Sequence, residues 1–205
     1  YETYSGFQNT FASLLDGTVK AGVFGVRARK FKDCLDDALF EDKIPASLYH
    51  NLISSARKNL PVIHKYYGIR KNALKLDELH LYDMYNNIAA TKEQKWTWDE
   101  AKEAVINSLE PLGKNYQRGA KQAFEERWVD VLPCRGKKSG AYSGGCYDSH
   151  SYILMNFQGT LDDVFTLAHE LGHSMHSFYA NKAQSYHYAD YSIFLAEIAS
   201  ITSEL

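Results

Sequence analysis

Apolar residues recur at helical spacing through most of the chain. Phe7, Phe11, Leu14 and Leu15 mark a short helix that Gly17 is expected to end. Val23, Val26, Phe31, Leu35, Ala38 and Leu39 mark a second between Val19 and Phe40, with Gly22 and Gly25 weakening its first turns. Ile44-Pro45 breaks the pattern, and a long helical stretch follows from Ala46 to about Leu74. Pro61 removes a backbone donor and crowds the preceding turn, so it is expected to kink or divide that stretch. Leu79 to Tyr85 reads as a helix end or a short extended piece. Thr97-Trp98-Asp99-Glu100 has the form of a capping box, opening a helix to about Glu110 ahead of Pro111. A further helix is expected from Asn115 to Val129.

The texture changes at Leu132. A glycine- and lysine-rich loop is followed by Ala141-Tyr142-Ser143-Gly144-Gly145. Tyr152-Ile153-Leu154-Met155-Asn156-Phe157 is short, apolar and bounded by turn residues, which suits a strand. Thr160 then stands as the N-cap of another helix, with Asp162 and Asp163 at the positive end of its dipole. The pattern predicts a mainly α fold with a small β element just before that helix. It has no repeat and no clear linker, so residues 1–205 read as one domain: a helical part (1–131), then the β element and last helices (132–205).

Composition adds a few exclusions. The 23 basic and 25 acidic residues leave a net charge of −2, which offers no electrostatic reason to expect nucleic acid or an anionic membrane as partner. No apolar run approaches the roughly 20 residues that span a bilayer. The first residues lack both the basic and the apolar segment of a signal peptide. Cys34, Cys134 and Cys146 are odd in number and unevenly spaced, which suits a reducing, cytoplasmic compartment. The chain starts without methionine and ends inside an apparent helix, so a fragment of a longer protein is expected.

The helix after Thr160 carries His169-Glu170-Leu171-Gly172-His173. Positions four apart lie on one helical face, so two imidazoles could aim at a single ion while Glu170 reaches a water beside it. The bland alternative makes both histidines satisfied polar residues on a half-buried helix. A catalytic zinc site needs a third protein ligand and an open position. A third histidine six residues after the second is ruled out, because Tyr179 stands there. Glu197, among Phe194, Leu195, Ile198 and Ile201, is a carboxylate in an apolar helix, either a ligand or a residue on a wet face; beside two histidines the ligand reading is favoured.

The run from Ser139 to Glu204 resembles the oligoendopeptidase F branch of the thimet-oligopeptidase family of zinc peptidases. The resemblance rests on Gly140 to Gly145, Gln158 to His176 and Ala196 to Ser200, with weaker echoes at Asn9 to Ala12, Ala38 to Phe40 and Leu79 to Asp83. It implies one Zn2+ held by His169, His173 and Glu197, with Glu170 as general base. It also implies a zincin-type helical fold with a small sheet beside a deep substrate channel. Members of that family are longer, and His and Tyr residues beyond the third ligand stabilise the tetrahedral intermediate; this chain ends eight residues after Glu197. Losing one oxyanion donor typically costs about 10²–10³ in rate, so the isolated chain is expected to bind zinc yet cleave poorly.

The expected activity is hydrolysis of internal bonds in short, unstructured peptides. The competing reading is a zinc- or peptide-binding fragment without turnover. The strand from Tyr152 to Asn156 could accept a peptide as an added strand, with Tyr142, Gly144 and Gly145 beside it; equally, the glycines could only make a turn. Glu204, seven residues after Glu197, is a candidate partner for a ligating histidine. Asp163 is another, with helix-start electrostatics as its alternative. His176 is left out of the ligand set.

Overall fold

The structure, a computed structural model, describes residues 2–88 and 95–205. The chain divides into two compact units, Tyr1–Ala90 and Thr91–Leu205.

The first unit is helical: α1 (Glu2–Ser5), α2 (Gln8–Arg29), α3 (Cys34–Phe40) and α4 (Ala46–Ala73), followed by a 3-10 turn over Leu81–Tyr85. Gly17 does not end a helix, because α2 runs through it and stops at Lys30. Lys30 adopts the left-handed conformation, with φ 63°; its N–H donates to the Arg27 carbonyl and the Phe31 N–H to the Val26 carbonyl. A glycine costs a helix only about 1 kcal/mol, which its neighbouring turns absorb, whereas a left-handed residue ends the ladder. Asp33 then restarts the helix, its carboxylate accepting from the Asp36 N–H. Pro61 likewise leaves α4 undivided. Arg70 is buried and donates to the carbonyls of Asp83, Met84 and Asn86 at 3.0, 2.8 and 2.7 Å, tying the 3-10 turn to α4.

The second unit holds α5 (Trp98–Ser108), α6 (Lys114–Glu125), β1 (Val129–Asp130), β2 (Tyr142–Gly144), β3 (Tyr152–Leu154), α7 (Leu161–Ala183) and α8 (Ile193–Glu204). The fold is thus mainly α with a small three-stranded sheet. The Thr97 capping box forms as expected, with Glu100 accepting from the Thr97 N–H at 2.8 Å. The helix expected to reach Val129 ends at Glu125, because Arg127 turns left-handed (φ 58°) and Val129 enters the sheet.

The strand order is β1-β3-β2, with β1 parallel and β2 antiparallel to β3. This corrects one expectation. Tyr152–Leu154 is the middle strand, its backbone groups already paired on both sides, so it has no free edge for an incoming peptide. In this sheet the free edges belong to β1 and β2.

The core packs one face of α7, through Leu167, Leu171 and Met175 at four-residue spacing, against Val105, Leu109, Ala123, Trp128, Ile153 and Met155. Each fully buried Leu, Ile, Val or Met side chain among these contributes roughly 1.5–3 kcal/mol. No helix among the described residues is long and apolar enough to cross a membrane.

Candidate metal centre

Helix α7 starts where its polar residues dictate. Gly159 holds φ +83°, and a Cβ there would meet the Trp96 carbonyl oxygen at 2.7 Å, so the turn before the helix requires glycine. Thr160 caps the Asp163 N–H at 3.1 Å, and the Asp163 carboxylate accepts from the N–H groups of Thr160 and Gln158 at 2.8 and 3.0 Å. Asp163 therefore serves the helix start and not a histidine.

Two turns further on, the Nε2 atoms of His169 and His173 lie 3.1 Å apart. Glu197 arrives from α8, its Oε2 3.5 Å from His169 Nε2 and 3.7 Å from His173 Nε2. One ligand atom from each of the three residues falls within 4.8 Å of the others. Tetrahedral zinc with Zn–N of about 2.0–2.1 Å would separate its donors by roughly 3.3 Å, so the spacing and the two-imidazole, one-carboxylate chemistry fit that ion.

What brings α8 close enough is the glycine inside the motif. A Cβ on Gly172 would stand 2.7 Å from Ser200 Cα, 2.8 Å from Ser203 Oγ and 2.9 Å from the Ala199 carbonyl oxygen. Any larger residue would push the helices apart and draw Glu197 from the histidines. Ser200, fully buried, donates to Glu197 Oε2 at 2.9 Å and steadies the carboxylate. Neither contact had a sequence signal beyond residue size, since both depend on where a second helix lands.

Glu204 lies with its Oε1 2.5 Å from His169 Nδ1, which orients that ring and leaves Nε2 facing Glu197. Glu170 is buried beside the cluster. Burial pushes its carboxyl above the ordinary value, with His169 and the Ser143 backbone N–H pulling it back and Glu197 adding to the rise. Burial and the neighbouring His169 hold His173 below the usual imidazole range, which favours the neutral ring that could ligate a metal. His176 stacks on Tyr191 with centroids 3.9 Å apart and lies outside the ligand group.

The remaining candidates sit along β2. The Ser143 hydroxyl faces α7, so by strand alternation the Tyr142 ring points to the other face of the sheet, where it is exposed. Gly144 ends the strand. Gly145 packs so closely that a Cβ would meet Ser151 Cα at 3.2 Å and the His150 carbonyl oxygen at 3.3 Å.

The profile of peptidase family M3 matches residues 1–205. The chain is 45% identical over 204 residues to oligopeptidase PepF of Bacillus subtilis and 43% identical to group B oligopeptidase PepB of Streptococcus agalactiae. Each match covers all of this chain, but only 30% and 34% of those relatives, so the chain spans about a third of their length. Oligoendopeptidase F of Enterococcus faecium superposes with a TM-score of 0.61 at 30% identity, covering 100% of this chain and 28% of that one. A chain from Chlamydophila abortus gives a TM-score of 0.82 at 45% identity, covering 99% of this chain and 34% of that one.

Proposed function

Because this chain belongs to peptidase family M3, in its oligoendopeptidase F branch, we propose that it carries the zinc centre of a metalloendopeptidase acting on internal bonds of short, unstructured peptides. The observation that supports this most is the convergence of His169 Nε2, His173 Nε2 and Glu197 Oε2 beside the buried Glu170. His169, His173 and Glu197 would hold the ion. Zinc bound there would supply a Lewis acid that polarises a carbonyl and lowers the pKa of water toward about 7.

The chain's own groups do the rest. Glu170 takes a proton from the attacking water and passes it to the leaving amine, a role served by a carboxyl whose pKa is raised toward working pH. Glu204 keeps His169 in the tautomer that offers Nε2, and Ser200 keeps Glu197 in register. The open edge of β2, from Tyr142 to Gly144 with Gly145 beyond it, pairs with the peptide backbone. The exposed, unpaired thiols of Cys34, Cys134 and Cys146 support a reducing, cytoplasmic setting.

Metal analysis of the intact protein together with a quenched fluorescent peptide tests this reading. Glu170→Gln should keep one zinc per chain and lose cleavage by about 10²–10⁴-fold or more. Zinc without turnover in the unmutated protein would leave a non-catalytic zinc- or peptide-binding role, and retained turnover in the variant would remove Glu170 from the chemistry.

A further inference from the structure

Strand β2 is three residues long, forms an edge of its sheet and pairs on one side with β3 alone. So short an edge has little to define its position. Yet in the proposed function its backbone must lie in register with Glu170.

Ser174 is the residue one turn beyond Glu170, on the same face of α7. Its side chain is completely buried, and its Oγ shares a 2.7 Å hydrogen bond with Ser143 Oγ at the centre of β2. The Ser174 carbonyl accepts from Ser151 Oγ at 3.3 Å, just before β3. Ser143 is thus tied to α7 through a serine that stands four positions after Glu170 on the same helical face. In a sheet this small, an apolar pair would fill the space but would not set the strand's position along the helix, because hydrophobic contact is non-directional.

We infer that Ser174 and Ser143 are positioning residues: their hydroxyl pair latches the edge strand onto the metal helix and sets the register between the peptide-binding edge and Glu170. This rests on the function proposed above. A latch of this kind acts on the geometry of attack and not on the metal. Ser143→Ala and Ser174→Ala should therefore keep zinc while lowering kcat roughly 10-fold, less than the about 10²-fold loss that a 1 Å misplacement can bring. KM should stay within about two-fold.

The two residues act as one unit, so the double variant should be no slower than either single variant. Ser143→Thr keeps the hydroxyl and should recover most of the lost kcat, which a general packing defect would not allow. Hydrogen exchange gives a readout independent of turnover: amides of residues 142–145 should lose protection in Ser174→Ala. Unchanged kcat in the single variants, losses that multiply in the double, or protection retained at β2 would each overturn the latch. If the intact protein holds no zinc or cleaves no peptide, the proposed function fails instead, and the exchange measurement still decides the latch.

Discussion

The two units of this chain use helices in opposite ways. In Tyr1–Ala90, helices of 22 and 28 residues expose Phe11, Leu14, Phe24, Leu52 and Val62, and only Val26, Arg70 and Asp83 are buried among the described residues. In Thr91–Leu205, α-helices of 11, 12, 23 and 12 residues and three strands enclose Leu109, Trp128, Ile153, Leu167, Leu171 and Met175. Isolated helices shorter than about 12–15 residues are marginal in water, so α5, α6 and α8 depend on a packed face. The candidate metal centre sits in the unit where packing controls distance. Two imidazoles and a carboxylate from different helices need to be held to within a few tenths of an ångström, and only a close-packed core does that.

Core substitutions should expose the contrast most strongly. Leu171→Ala removes a fully buried side chain from α7 and should cost about 2–5 kcal/mol. Leu14→Ala, in a residue 62% exposed on α2, should change stability by no more than about 0.5 kcal/mol. Denaturant titration of both variants checks the pair, and similar losses would show that the two units are not packed differently.

Glycine replacements give opposite signs. Gly172→Ala drives a Cβ into the backbone of α8 and should destabilise by about 1–3 kcal/mol while lowering zinc occupancy. Gly17→Ala meets nothing within 4 Å in the middle of α2 and should stabilise by roughly 0.5–1 kcal/mol. Thermal melts with metal analysis measure both.

The smallest effect concerns pH. Burial holds His176 below the usual imidazole value, so it binds fewer protons folded than unfolded. Its contribution is complete above about pH 6.5 and is lost as pH falls from there toward its folded pKa. His176→Gln should flatten that acid loss slightly in stability measured from pH 7.5 to 5, and an unchanged slope would mean the ring is not desolvated.

Much of the second unit was legible because its signals are local. The capping box at Thr97 and the N-cap at Thr160 formed as expected, and the four-residue step from His169 to His173 put both rings on one face. The first unit misled where a local rule was read too strictly. Gly17 was expected to stop a helix that in fact ends at Lys30, a residue type with no reputation as a stop. The strand order was also beyond reach: Tyr152–Leu154 has the best strand composition and lies in the middle, paired on both sides with Ile153 buried. Its flanking strand β2, with glycine and serine, looked like a turn.

By itself the sequence determined angles: which residues share a helical face, where helices start, and which carboxylate is out of place in an apolar segment. Those follow from about 100° per residue and from capping chemistry within a few positions. Tertiary structure decided distances. Glu197 reaches the histidines because Gly172 lets α8 approach α7, His169 is oriented because Glu204 falls beside it, and β2 meets α7 where Ser143 and Ser174 pair. Spacing along one helix is set by its own geometry, but the gap between two elements is set by the side chains that fill it.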